Sequence, residues 1–115
     1  MRSDEQYLTD IVEAADAIAR FIAGVDQAAF LQDELRQSAV IQKIEVIGEA
    51  AGKVPPRLRD RYPEVEWPRI VGMRNLLVHS YFSIKPGIIW QTATQAVPDL
   101  REKIAQILIR EFRPD

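Results

Sequence analysis

Arg74, Asn75, His79, Ser80 and Tyr81 place five polar side chains within eight residues, and His79 is the only histidine of the chain. A guanidinium can grip a phosphate as a fork and stabilise the charge that develops on it. An imidazole that titrates near neutrality can take a proton from a ribose 2′-hydroxyl or give one to a leaving oxygen. The chemistry these groups suit is phosphodiester cleavage in RNA. Spacing adds a constraint. On an unbroken helix Asn75 and His79, four residues apart, share one face, and Arg74 and Tyr81, seven apart, share another. Arg74 and His79 are five apart, roughly 140° around the axis at about 100° per residue. They do not meet on one straight helix without help from long side chains. A second protomer packed against this face would bring both sets to a common groove, and would supply two histidines where acid and base roles need two groups. A lone histidine near an arginine at a helix end is also an ordinary structural arrangement, and spacing alone does not separate the two.

Other chemistries find little to work with. The chain has no cysteine, which removes thiolate catalysis and disulfides. With one histidine and no tight carboxylate cluster, a metal site is not expected, and no cofactor is implied. Ser80 is merely adjacent to His79 and lacks the strained elbow of a Ser-His-Asp hydrolase. There is no glycine-rich phosphate loop. The formal net charge of −2 argues against sequence-blind coating of nucleic acid. Charge is uneven, however: Lys53, Arg57, Arg59, Arg61, Arg69 and Arg74 face only Asp60, Glu64 and Glu66 in their stretch. That stretch carries +3 and leaves −5 on the rest. Such a patch could meet phosphate, or be a solvated face.

The elements that must position these groups read as helices. Ser3 and Gln6 form a capping box, with Asp4 and Glu5 favourably placed in the first turn. Tyr7, Leu8, Ile11, Val12, Ala15, Ile18, Phe21 and Ile22 follow with helical periodicity up to Gly24. Asp26 to Leu31 reads as a turn or short helical entry. A second helix is expected from about Gln32 to Ala51, with Leu35, Ala39, Val40, Ile44, Ile47 and Ala51 inward and Gly52 as its C-cap. Pro55 and Pro56 introduce a short helix, Pro56 to Arg61, which Pro63 stops. Trp67–Pro68 opens a helix through Ile70, Val71, Leu76 and Leu77 that ends near Tyr81. The last helix is expected over Gly87 to Phe112, with Ile88, Ile89, Ala93, Val97, Leu100, Ile104, Ile107 and Leu108 as its stripe and a kink at Pro98. Nothing alternates as a strand does. The expectation is an all-α fold, a four-helix up-and-down bundle with an additional short helix, in a single domain over residues 1–115. No apolar run is long enough for a membrane, and the polar start has no signal-peptide core, so a cytoplasmic protein is expected. Trp67 and Trp90 read as core anchors whose indole N–H groups seek carbonyls. Glu49, within IGEAAG, is either exposed or a buried carboxylate fixing an arginine.

In its extended pattern the chain resembles the HEPN superfamily, and within it the HepT-type toxins of bacterial and archaeal toxin–antitoxin pairs. The signature of arginine, a polar residue, a short spacer and histidine stands here as Arg74, Asn75, Leu76-Leu77-Val78 and His79, with a tyrosine two residues on, Tyr81. Ile47 to Ala51, Tyr62 to Asn75, Val78 to Phe82, Trp90 and Pro98-Asp99-Leu100 extend it over nearly the whole chain. The resemblance implies a HEPN-like bundle that forms a homodimer with both motifs in one cleft. It further implies a metal-independent endoribonuclease toxin in which Arg74 and His79 are the catalytic pair and Asn75 supports them. The expected product end is a 2′,3′-cyclic phosphate. The implied partner is a minimal nucleotidyltransferase antitoxin, which transfers AMP from ATP to Tyr81. An alternative within the same resemblance is a non-catalytic HEPN dimer that binds a nucleotidyltransferase partner, nucleotide or RNA.

Overall fold

A computed structural model describes residues 2–80 and 83–113, and among these there are helices and no strands. Helix α1 spans Asp4–Ile22. Its start is fixed by the capping box: the Ser3 hydroxyl accepts from the Gln6 amide at 3.2 Å, and the Gln6 side-chain oxygen accepts from the Ser3 amide at 2.7 Å. Leu8, Ile11, Ala14, Ala15, Ala17 and Ile18 are buried, so the apolar stripe faces the core as its period requires. After the helix Gly24 takes φ +74°, which an L side chain rarely adopts, and the chain reverses. The short helix α2, Gln27–Leu31, is capped by Asp26, whose carboxylate accepts from the Ala29 amide at 2.8 Å.

Helix α3 runs Glu34–Lys53, starting two residues later than the periodicity suggested because Asp33 is the cap. Its carboxylate accepts from the Arg36 amide at 3.0 Å, and that backbone hydrogen bond holds the Asp33 carboxyl below the usual carboxylate range. Val40, Ile44, Ile47 and Ala51 are inward as expected. Leu35 is not: it is 83% exposed. Five residues before Val40, it lies roughly 140° out of phase with the buried stripe. Gly52 is not a C-cap either, since the helix continues through it to Lys53 and ends at Val54. Helix α4 is a single turn, Pro56–Arg59, shorter than the expected reach to Arg61. Helix α5 covers Trp67–Ser80 without a break.

Helix α6 spans Pro86–Gln91 and continues through a π-helical turn, Thr92–Ala96, into α7, Val97–Phe112. The distortion expected at Pro98 therefore falls in the turn before it. Pro98 has no amide to bond back one helical turn, and the Val97 amide already reaches five residues back to the Thr92 carbonyl. The Thr92 and Thr94 hydroxyls donate to the Ile88 and Trp90 carbonyls, both at 2.8 Å. Ile89, Ala93, Val97, Leu100, Ile104 and Ile107 are buried, whereas Ile88, about 100° off that line, is 49% exposed.

The long helices pack in the order α7, α1, α3, α5, so that α1 and α3 each lie between two neighbours, while α5 finds its main support on α3. The α6 segment and the π turn fold back beside them, where Phe30 and Trp90 meet with ring centroids 5.1 Å apart. Trp67 is the anchor expected of it: it is buried, and its indole N–H donates to the Tyr62 carbonyl at 3.1 Å. Trp90 is only half-buried. Between α5 and the α6–α7 arm lies an open groove of about 840 Å³ floored by Ile44 and Ile47 of α3.

Candidate functional site

Helix α5 carries Arg74, Asn75 and His79 on one uninterrupted stretch, so the angular relations of a regular helix hold. Asn75 and His79 are both exposed and one turn apart; Arg74 is half-buried on another face. The Arg74 Nη1 donates to the Asn75 side-chain oxygen at 3.1 Å, which couples the two faces through neighbouring residues. Tyr81 lies outside the described residues. Glu49 is exposed, which removes the buried-carboxylate alternative.

The basic stretch before the site is less available than its net charge suggested. Arg57 pairs with Asp4 at 2.9 Å, Arg61 with Glu111, and Arg69 with Glu66 at 3.0 Å. Arg59 donates to the Val54 and Gly52 carbonyls at 2.8 and 2.9 Å, closing the C-terminus of α3. These contacts tie α4 and the loop after it to α1, α3 and α7. Arg74 is the exception among the arginines of this stretch: among the described residues no carboxylate forms an ion pair with it, and its partner is the neutral amide of Asn75. A guanidinium so placed keeps donors for an incoming anion.

The far end of α7 is held by a small polar cluster. The Tyr62 hydroxyl donates to Glu111 Oε2 at 2.5 Å while Arg61 donates to both oxygens, from Nη2 to Oε1 and from Nε to Oε2 at 3.3 Å, so Arg61 first and Tyr62 second hold the Glu111 carboxyl below its ordinary range. That bond also pushes the Tyr62 hydroxyl up. The cluster steadies the loop leading into α5 without presenting a group for catalysis.

Two apolar residues near His79 in α5 are also exposed, Leu76 at 48% and Val78 at 45%. Leu76 also lines the groove between α5 and the α6–α7 arm, with Met73, Ile70 and Ile88. No group of three or more potential ligating side chains that could hold a metal ion occurs among the described residues. No helix among them is long and apolar enough to cross a membrane.

One contact beneath the site has no local signature in the sequence. Gly48 of α3 is buried directly under Arg74, and a Cβ there would fall 2.1 Å from the Arg74 Cβ. The small residues of IGEAAG were visible, but which helix they would meet was not.

Comparison with known proteins gives a consistent answer. The family model described as Ribonuclease HepT-like matches residues 11–107. A Thermococcus cleftensis protein named "Probable ribonuclease HepT" is 35% identical over 106 residues, covering 92% of this chain and 96% of that protein. A Caldanaerobacter subterraneus protein named a "Putative RNase" is 31% identical over 111 residues, covering 96% and 99% respectively. A third, from Methanocaldococcus jannaschii and also named a "Putative RNase", is 32% identical over 107 residues, 93% of this chain and 88% of its own. No solved structure matches the chain. The matched span contains α3, α5 and the Arg74–His79 segment, and on these grounds the chain belongs to the ribonuclease HepT-like family of HEPN proteins.

Proposed function

We propose that the chain is a metal-independent endoribonuclease, the toxin of a toxin–antitoxin pair, in which Arg74 and His79 cleave RNA at a cleft between two copies. The observation that carries this reading is the state of Arg74. In a stretch where the other arginines are held by carboxylates or backbone carbonyls, its one partner among the described residues is the Asn75 amide, and the same helix carries an exposed histidine.

In the proposed step the ribose 2′-oxygen attacks the adjacent phosphorus while His79 takes the hydroxyl proton. Arg74 holds the non-bridging oxygens as negative charge builds on them. The 5′-oxygen departs with a proton from His79 of the partner subunit, leaving a 2′,3′-cyclic phosphate and a 5′-hydroxyl. The protons balance between the two imidazoles, which exchange roles on the next turnover. The roughly 140° between Arg74 and His79 on one helix supports the need for two copies. Exposed Leu76 and Val78 beside His79 supply apolar area for such contact. Inhibition would follow from AMP transfer to Tyr81 by a minimal nucleotidyltransferase, placing an anion where Arg74 would otherwise meet RNA.

The test is cleavage of labelled RNA by unmodified protein in EDTA, with His79→Ala alongside. Cyclic-phosphate ends from the wild type and none from the variant are expected. Cutting that survives in His79→Ala would defeat the assignment. The same apolar surface supports a second reading, a dimer that binds a nucleotidyltransferase without cutting RNA. Wild type free of AMP on Tyr81 that cuts none of a varied set of RNAs would favour it.

A further inference from the structure

Helices α3 and α5 run antiparallel where they touch: Gly48 faces Arg74, and one turn on Gly52 faces Val71. The two contacts differ sharply. A Cβ on Gly52 would meet Val71 Cγ2 at 3.8 Å, an ordinary packing distance. A Cβ on Gly48 would lie 2.1 Å from Arg74 Cβ, 2.8 Å from its Cγ and 3.2 Å from the Ile70 carbonyl oxygen. None of these is the free end of a flexible side chain. Two are the root of Arg74 and one is backbone, so α5 itself must retreat if position 48 carries any side chain. The retreat needed is on the order of 1 Å, a misplacement that costs about a hundred-fold in rate when it falls on a catalytic group.

We infer that Gly48 is a positioning residue for Arg74. The missing side chain lets the stem of Arg74 lie on the α3 backbone, which fixes where the guanidinium emerges and keeps it beside Asn75. This inference rests on the ribonuclease reading, because it assigns Gly48 a share in the chemistry through Arg74. It also accounts for a glycine well inside a 20-residue helix, where alanine would otherwise be preferred.

Gly52→Ala is the matched control: same helix, one turn away, facing the same neighbour, with room for the methyl group. Kinetics of Gly48→Ala and Gly52→Ala are measured on one RNA, with circular dichroism to verify folding. Gly48→Ala is expected to lower kcat by about a hundred-fold with KM little changed, because Arg74 acts on charge that develops in the transition state. Gly52→Ala is expected to match the wild type. In an Arg74→Ala background Gly48→Ala should cause no further loss, whereas a general structural defect would add to it.

The thermal midpoint supplies a readout independent of activity. The lowering caused by Gly48→Ala should persist with Arg74→Ala, which keeps the Cβ, and shrink with Arg74→Gly, which removes it. Wild-type protein that cuts no RNA overturns the ribonuclease reading and this inference with it. Wild-type cleavage that Gly48→Ala equals overturns the inference alone. If Gly48→Ala does not fold, recovery of folding with Arg74→Gly supports the contact. Failure of both would mean that the bundle needs Gly48 for reasons unconnected to Arg74, and would overturn the inference.

Discussion

Helices α1 and α5 solve opposite problems. Helix α1 lies between α3 and α7 and buries six of its 19 residues, all apolar, with polar residues turned to solvent. Helix α5, with 14 residues, is supported mainly by α3 and buries only Trp67 and Leu77. It leaves Leu76 and Val78 about half exposed on either side of a buried Leu77. Hydrophobic residues on α1 report the core, whereas those on α5 report surface that the monomer does not cover. The polar groups of the proposed site are on the second kind of helix. An element proposed to meet RNA and a second copy could not also be wrapped by its own bundle.

That contrast can be broken or sharpened by substitution. The largest effect is expected for Ile11→Ala on α1, fully buried. It should destabilise by about 2–5 kcal/mol in urea unfolding while each folded molecule keeps its activity. Arg74→Ala on α5 should do the reverse, slowing cleavage by about 10²–10³-fold, the scale of losing one donor to a developing oxyanion, with little change in the urea midpoint. A similar loss of stability for both would erase the distinction. Leu76→Lys should weaken self-association, seen by sedimentation velocity, with the helical signal unchanged; undiminished association would assign that surface to another partner. Ser3→Ala removes half of a capping box and should cost about 1 kcal/mol, felt at α1 and absent from the kinetics. The smallest effect is set by pH. Asp33 and Glu111 have carboxyls held below their ordinary range, so their contribution is present above the ordinary carboxylate pKa and is lost as pH falls through the lowered values. Acid should therefore lower the urea midpoint, and Asp33→Asn should flatten that dependence.

Much of α1 could be read from the sequence, because capping and a 3.6-residue period are local facts. The Ser3–Gln6 box, the helix end near Gly24 and the indole bond of Trp67 follow from local chemistry within a few positions. Leu35 and Ile88 failed for a related reason: each is apolar near a buried stripe but out of phase with it, and residue type alone suggested burial. The contact between Gly48 and Arg74 lay beyond local reasoning, since it joins residues 26 positions apart on two helices. The Arg74–His79 segment was legible as residue types at a spacing. That Arg57 and Arg61 were already occupied was not, because their partners lie far along the chain, at Asp4 and Glu111.

Those occupied arginines bear on how the protein would meet RNA. Each cation that has an internal counter-charge displaces no counterions from a polynucleotide, and the salt sensitivity of binding scales with the number that do. With Arg57, Arg61 and Arg69 each beside a carboxylate, affinity for RNA at the proposed site should fall less steeply with salt than six free cations would make it. If RNA binds at the proposed cleft with few free cations, shape would weigh more in its selection, and long unstructured RNA is expected to compete poorly.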